Sequence, residues 1–142
     1  LRRQRQMCIR DRLNAEELES LNALNGGLAE LLGLQFTHVG PREARAKLQV
    51  RPEHHQPWGV ANGGLYCSIA ETVASIASVA AADAPAVGVN NSSDFIRSTG
   101  EGELEAVATP VQLGSRTHLW SVEMLQGGKL IARTTLRTMI LS

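Results

Sequence analysis

One stretch of twenty residues, Gly63–Ala82, constrains the fold of this chain more than any other feature. It contains no proline, lysine or arginine, and its only glycines are its first two residues. Apolar residues recur along it at helical spacing, which predicts a long helix with an apolar stripe. The stripe consists of Leu65, Ile69, Val73, Ile76 and Ala80. At 1.5 Å per residue the helix is about 30 Å long, enough to cross a small sheet.

Most of the remaining chain predicts strands. Asn14 is expected to cap a short leucine-rich helix that Gly33 ends. Strands are expected at residues 34–39, 44–51, 86–96, 103–112, 117–125 and 129–140. Gly88 and the segment 100–102 are interpreted as bends or turns, and residues 126–128 as a hairpin turn. One long helix against an antiparallel sheet of five to six strands is an α+β architecture.

The 142 residues are enough for one domain. Residues 1–12 carry five Arg against one Asp. Such a segment is compatible with binding nucleic acid or anionic lipid. Its composition differs sharply from that of the remaining chain, so we expect a non-native or disordered basic leader and a single domain over 13–142. The domain is mildly acidic, at about −4, and no nucleic-acid partner is expected.

No apolar run approaches the roughly 20 residues that a membrane-spanning helix needs, so no membrane association is expected. The two cysteines, Cys8 and Cys67, are not expected to form a disulfide. A reducing, cytoplasmic setting is the default for such a chain. The adjacent His54 and His55 point apart on an extended loop, and no third ligand stands at a suitable spacing, so no metal is expected.

A single carboxylate stands on the polar side of the long helix. Glu71 lies across from the apolar stripe, and its neighbours at helical spacing are small: Cys67, Ser68, Ser75 and Ser78. A face without Lys or Arg suits the close approach of a ligand or another chain. The alternative interpretation is a solvated glutamate in mid-helix.

Two glycines, Gly63 and Gly64, open the same helix. Backbone N–H groups at a helix start have no intrahelical partner, and glycines let a ligand approach them. Such donors would stabilise a developing oxyanion, although two glycines would also suit a simple turn. Oxyanion donors and a carboxylate on one helix are the parts that acyl transfer needs.

The run QPWGVANGGLYCSIAETVAS, residues 56–75, resembles the signature of hotdog-fold acyl-CoA thioesterases. The branch it resembles contains Glu-dependent 4-hydroxybenzoyl-CoA thioesterase, 1,4-dihydroxy-2-naphthoyl-CoA hydrolase and phenylacetate-pathway thioesterases. The runs VGVNNSSDFIRS, residues 87–98, and LGSRTHLWSVEM, residues 113–124, look like later blocks of the same branch. The resemblance covers about residues 34–142. It implies a hotdog fold, a long central helix wrapped by the sheet, and hydrolysis of an acyl-CoA to free acid and CoA.

The resemblance implies a role for four catalytic residues. Glu71 would be nucleophile or general base, and the Gly63 N–H would polarise the thioester carbonyl. The Gln56 side chain would hydrogen-bond near that carbonyl, and Ser75 would help to hold the attacking water or the acyl group. Asn62 stands where the family commonly has His, which puts in doubt any mechanism that uses this His as acid or base. Hydrolysis is still expected.

The resemblance also implies substrate contacts, assembly and cofactor use. The implied substrate-binding residues are Asn62, Gly64, Trp58, Phe95, Arg97, Ser98, Ser115 and Arg116. Trp58 and Phe95 would shape a pocket for an aromatic or medium-chain acyl group, and the last four would lie near the CoA phosphates. The family's sites form between subunits of a dimer or of a homotetramer built as a dimer of dimers. No cofactor is implied, because CoA is part of the substrate.

Two other functions remain open at this point. A non-catalytic acyl-CoA-binding hotdog module is favoured by the Asn at position 62. An enoyl-CoA hydratase or dehydratase would need a His at the active centre, and the long helix contains none.

Overall fold

The structure, a computed structural model, describes residues 12–24 and 26–142. The predicted basic leader lies outside this part except for Arg12, and so does Cys8. Two short helices open the described chain: α1, Ala15–Leu24, and α2, Gly27–Leu32. Asn14 caps α1 as predicted, because its Oδ1 accepts the Glu17 N–H at 2.8 Å while Glu17 Oε1 accepts the Asn14 N–H at 3.0 Å. Gly33 ends α2 with a left-handed φ of 82°.

Six strands form one antiparallel sheet in the order β1-β2-β4-β5-β6-β3. Strands β1 and β2 precede a 3-10 turn, Pro52–His54, and the long helix α3, which spans Gly63–Ala82 as predicted. The strand bounds differ from the predicted ones by one or two residues at most. The strands are β1 Gln35–Val39, β2 Ala44–Val50, β3 Ala86–Phe95, β4 Gly102–Leu113, β5 Thr117–Gln126 and β6 Lys129–Ile140.

The sheet wraps around α3, and the core lies between them. Strand β2 has one buried face, since every second residue of it is buried: Ala44, Ala46, Leu48 and Val50. Along β5, Trp120, Val122 and Met124 are fully buried against the helix. Many core residues are alanine, and these small side chains let helix and sheet approach closely. A long central helix wrapped by an antiparallel sheet is the predicted α+β hotdog architecture.

Length and composition alone would allow α3 to cross a membrane, with a mean hydropathy of 1.5. The prediction that no run is long and apolar enough for a span was therefore too strict. In this structure the helix is the central element of the core, and half of its most apolar window is buried by the protein itself. A buried core helix satisfies the same test of length and hydropathy as a membrane-spanning helix.

The glycines within residues 126–128 lie in a turn, whereas Gly88 lies inside a strand. The hairpin at residues 126–128 is confirmed: Gln126 pairs with Lys129, and Gly127 and Gly128 both have positive φ. Gly88, by contrast, is not in a turn. It lies inside β3 beside a register shift between Gly88 and Asn90 that marks a β-bulge. The strand predicted at residues 86–96 therefore continues through Gly88, and the bend or turn predicted there is a bulge, which bends the strand without ending it.

A buried polar cluster joins the far end of α3 to the sheet. The Ser78 hydroxyl accepts the Trp120 indole N–H at 2.6 Å, and it lies 2.6 Å from Thr138 Oγ1 and 3.0 Å from His118 Nδ1. Ser78 is therefore 0% exposed, although it was expected beside Glu71 on the open face. Strands β5 and β6 cover that face at the C-terminal half of α3 and leave it open near Glu71.

His118 gives this cluster a pH dependence. It is 4% exposed, and burial lowers the pKa of its imidazole, so the folded chain holds it neutral. Below about pH 6.5 the unfolded chain binds a proton that the folded chain resists, and the free energy of unfolding should fall as the pH is lowered. Urea unfolding of the wild type and of His118→Asn between pH 7.5 and 5 tests this. The variant should lose less stability over that range, and parallel profiles would contradict the assignment.

Candidate active site

The start of α3 is capped by Asn62, the residue that departs from the family pattern. Its side-chain Oδ1 accepts the Gly64 N–H at 2.7 Å, and its backbone is extended at φ −65° and ψ 138°. The Gly63 N–H has no acceptor among residues 12–24 and 26–142. The Gly64 N–H is therefore used by the cap, and the Gly63 N–H is the donor that the helix start leaves available to a ligand.

The loop before α3 is held in place by the two adjacent histidines. His54 Nδ1 accepts the Arg51 N–H at 2.9 Å, so its Nε2 carries the proton that faces the Leu32 carbonyl at 2.9 Å. His55 Nε2 lies 2.7 Å from the Gly100 carbonyl. The rings point to different partners, as expected from their adjacency. They anchor the loop at its beginning and so fix the position of Gln56 and of the helix start.

Gly63 is in close contact with the ring of Phe95, at the end of β3. An added Cβ at Gly63 would overlap this ring. The ring of Tyr66 packs against Phe95 with centroids 5.7 Å apart. A cavity of about 260 Å³ opens beside this contact, and Gln56, Arg97 and Ser98 also line it. The structure therefore brings five predicted site residues together around the start of α3.

Glu71 lies in a second, shallower cavity. It is exposed, and the cavity of about 300 Å³ is lined by Cys67, Ser68, Glu71 and Asn91. Within the described part of the chain its carboxylate has no ion-pair or hydrogen-bond partner. A carboxylate in this setting is free to accept a proton from water or to attack a carbonyl carbon.

Strand β3 supplies two residues near Glu71 that the sequence did not indicate as site residues: Asn91, which lines the second cavity, and Gly88. Asn91 Nδ2 donates to the Cys67 carbonyl at 2.9 Å, and Asn91 Oδ1 accepts from Ser93 Oγ at 2.7 Å. Gly88 lies under Glu71, and a β-carbon added to it would lie 2.9 Å from the Glu71 carboxylate. A glycine and a run of Asn and Ser inside a predicted strand was the available signal, because such residues are depleted from strands.

Within one chain, the Gly63 N–H and the Glu71 carboxylate are too far apart to contact the same thioester group. Gly63 and Glu71 are eight residues apart on one helix, which is about 12 Å along its axis. A thioester carbonyl held at Gly63 is therefore out of reach of Glu71 of the same chain. One chain carries a donor half and a carboxylate half, and each half is open to solvent.

The remaining predicted residues lie in three separate places. Ser75, one turn beyond Glu71, is half-buried, and Trp58 is 84% exposed on the loop before α3. Ser115 and Arg116 lie in the β4–β5 turn beside Ile140, whereas Arg97 comes after β3 where Phe95 pairs with Ala132. Ile140 and Ala132 are eight residues apart in β6, which at 3.3 Å per residue separates them by about 26 Å. One chain does not bring both pairs of residues together.

Known proteins resemble this chain in both sequence and fold. The family model described as Thioesterase superfamily matches residues 59–132. Rv1847 of Mycobacterium tuberculosis (strain H37Rv), named as an esterase, is 42% identical over 112 residues, covering 75% of this chain and 80% of that protein. The 1,4-dihydroxy-2-naphthoyl-CoA hydrolase of Escherichia coli (strain K12) is 32% identical over 128 residues, covering 87% and 94%. A solved thioesterase structure from Haemophilus influenzae aligns with a TM-score of 0.83 at 27% identity, covering 88% and 90%.

The cap geometry makes a prediction about Asn62. Asn62→Ala removes the acceptor for the Gly64 N–H and should lower the free energy of unfolding by about 1 kcal/mol. Asn62→Asp keeps a side-chain oxygen at the cap and serves as the matched control. Chemical denaturation of the three proteins at one pH measures the difference. Equal stability of wild type and Asn62→Ala would contradict the capping role.

Proposed function

The chain belongs to the thioesterase superfamily and is a thioester hydrolase. From this premise we propose that its substrate is an acyl-CoA thioester and that Glu71 is the catalytic carboxylate. In the proposed reaction water replaces the CoA sulfur on the acyl carbon. The C–S bond breaks, the sulfur takes a proton, and free acid and CoA leave. The observation that carries the proposal is the open carboxylate of Glu71, unpaired within the described residues and set in a cavity with small neighbours.

Glu71 has two possible chemical roles in this reaction. As a nucleophile it attacks the acyl carbon and forms a mixed anhydride that water then opens. As a general base it takes a proton from the attacking water. The described residues that line the cavity include no histidine to share either task. That composition favours hydrolysis over double-bond hydration, for which the resemblance implies a His.

The Gly63 N–H is the proposed donor for the carbonyl oxygen. It is the first N–H of a twenty-residue helix, so the helix dipole adds to its positive character. Because the donor is fixed before the substrate arrives, it stabilises the oxyanion without reorganisation. The Gln56 side chain lines the same cavity and accepts the Trp58 N–H through its oxygen, so its amide N–H₂ group can donate to the substrate.

A second copy of the chain is proposed to complete the site. Strand β3 is an edge of the sheet, ten residues long, and exposes Val87 and Val89. A long, exposed edge strand with apolar side chains presents unpaired N–H and C=O groups that can pair with a strand of another chain. Pairing between the β3 edges of two copies would bury this edge.

The register of β3 along α3 determines which residues of the two copies this pairing would bring together. Phe95 lies beside Gly63, and Gly88 lies beside Glu71, so strand and helix run antiparallel. In a two-fold antiparallel pair centred midway between Gly88 and Phe95, Phe95 of one copy is opposite Gly88 of the other. The donor half of one chain then meets the carboxylate half of its partner. Each dimer has two such sites, and a homotetramer built from two dimers has four.

The substrate class is inferred from the donor cavity. Phe95, 56% exposed, and the exposed Trp58 offer aromatic surface for an aromatic or medium-chain acyl group. The name of the Escherichia coli relative describes an aromatic acyl-CoA as its substrate. Arg97 and Ser98 line the same cavity and are proposed to contact CoA phosphates. Ser115 and Arg116 would reach a phosphate only from another copy.

The proposed reaction needs no cofactor, because CoA enters as part of the substrate. We place it in the cytoplasm, where acyl-CoA thioesters are available and the thiol of Cys67 stays reduced. Fractionation of the native organism's cells with an antibody to the protein tests this placement.

Replacing Glu71 tests the catalytic proposal directly. Glu71→Ala should lower the turnover number by about 10²–10⁴-fold, because the group that activates the nucleophile is gone. Thiol release from a panel of aromatic and medium-chain acyl-CoAs measures it, and calorimetry with CoA checks that the product still binds. Glu103→Ala, which removes an exposed acid at the start of β4, is the control. Wild-type turnover in Glu71→Ala would refute the role of Glu71.

Subunit mixing tests the two-chain site. Glu71→Ala removes the carboxylate half, and Gly63→Ala perturbs the donor half, because its Cβ would overlap the Phe95 ring. After refolding together in equal amounts, the inactive variants should regain about a quarter of wild-type activity, since half the dimers are mixed and each has one intact site of two. Gln56→Ala provides a second donor-half variant. Activity that does not rise above that of the separate variants means that the site lies within one chain.

A further inference from the structure

We propose that Gly88 is a positioning residue for the catalytic carboxylate: the Glu71 side chain rests over Gly88, so close that a β-carbon at residue 88 would displace it. This inference rests on the proposed function of Glu71. Within one chain Gly88 contacts neither the proposed donor half nor the acyl-group residues, and it faces α3 rather than the proposed partner. Its effect on the reaction would be exerted entirely through the position of Glu71.

The contact between these residues is close. A Cβ built on Gly88 would lie 2.9 Å from Glu71 Oε1, 3.1 Å from its Cγ and 3.3 Å from its Cδ. All three nearest atoms belong to Glu71. The side chain therefore lies along the strand surface over half its length, and a methyl group there would displace it.

The backbone gives no other reason for a glycine at this position. Six glycines of the described chain have positive φ, and Gly88 is not among them. An alanine would therefore suit the backbone conformation of residue 88. A glycine inside a strand also weakens the strand, since it costs more conformational entropy on folding and has no side chain to pack. The contact with Glu71 is the feature that requires the missing side chain.

The β-bulge and Asn91 hold Gly88 in place under the carboxylate. Val89 is the extra residue at the bulge, so Gly88 and Asn91 both face α3 although they are three residues apart. Asn91 Nδ2 is bonded to the Cys67 carbonyl at 2.9 Å. In an α-helix this carbonyl is also the acceptor for the Glu71 N–H, four residues later. The strand is thus fixed to the helical turn that carries Glu71.

A β-carbon at residue 88 should change catalysis more than stability. The atoms that must yield are the outer atoms of one exposed side chain, so the fold can absorb the substitution. The carboxylate itself has to move by a few tenths of an ångström to restore an ordinary contact, and a misplacement of about 1 Å can cost about 100-fold in rate. Gly88→Ala should therefore lower kcat by about 3–10-fold, with little change in KM or in the melting temperature.

A double-substitution cycle separates this steric effect from a general structural defect. Glu71→Ala removes Oε1, Cγ and Cδ, the three atoms that a β-carbon at residue 88 would meet. In the Glu71→Ala background Gly88→Ala should raise the melting temperature by a few degrees, as a glycine-to-alanine change in a compatible conformation does, whereas beside Glu71 the contact should cancel this gain. Gly40→Ala is the matched control, because its Cβ would also approach a side-chain end, 3.3 Å from His38 Nε2, at the opposite edge of the sheet. It should leave kcat unchanged.

The outcomes are distinguishable. A Gly88→Ala variant with wild-type kcat, or with an equal change in melting temperature in both backgrounds, overturns the positioning role while leaving Glu71 as the catalyst. Wild-type activity in Glu71→Ala instead overturns the proposed function on which the inference depends. A crystal structure of Gly88→Ala observes the displacement directly. A displaced carboxylate above an unmoved β3 supports the proposal, and an unmoved carboxylate overturns it.

Discussion

The packing of strand β3 along helix α3 is the contact on which the rest of the site depends. The strand runs antiparallel to the helix and meets it at three points: the Phe95 ring on Gly63, the Asn91 amide on the Cys67 carbonyl, and Gly88 under Glu71. At the first and last points a glycine makes room for a larger side chain. Between them a hydrogen bond fixes the register. This contact therefore decides where both the carbonyl donor and the carboxylate stand.

A straight helix separates these two groups by about 12 Å, which is too far for one carbonyl to use both. The same strand that positions them is also an uncovered edge of the sheet. In our proposal, pairing of the β3 strands of two copies covers the exposed edge. The same pairing brings the Gly63 donor of each copy to the Glu71 carboxylate of the other. Folding, assembly and catalysis would then depend on one interface. A substitution on the outer side of β3 would change activity and subunit affinity together.

Much of the fold could be predicted from the sequence because its signals are local. The helix Gly63–Ala82 has uninterrupted helical periodicity, and alternation marks β2, so short-range patterns are enough to locate both elements. The errors concern contacts between distant residues. Ser78 shares a helix face with Glu71 but is buried by β5 and β6, and helical spacing carries no information about where a sheet ends. Gly88 contacts a side chain seventeen positions earlier, so the sequence indicated a bend or turn at this glycine but not its contact with Glu71.

A crystal structure with a non-hydrolysable acyl-CoA, in which a methylene separates the carbonyl from sulfur, would test the two-chain site most directly. We predict a dimer joined through β3. The acyl oxygen should lie about 3 Å from the Gly63 nitrogen of one copy, with the Glu71 carboxylate of the other copy facing the acyl carbon, directly or through one water. An acyl carbon bound far from every Glu71 in the assembly, or an acyl oxygen far from every Gly63 nitrogen, would contradict it.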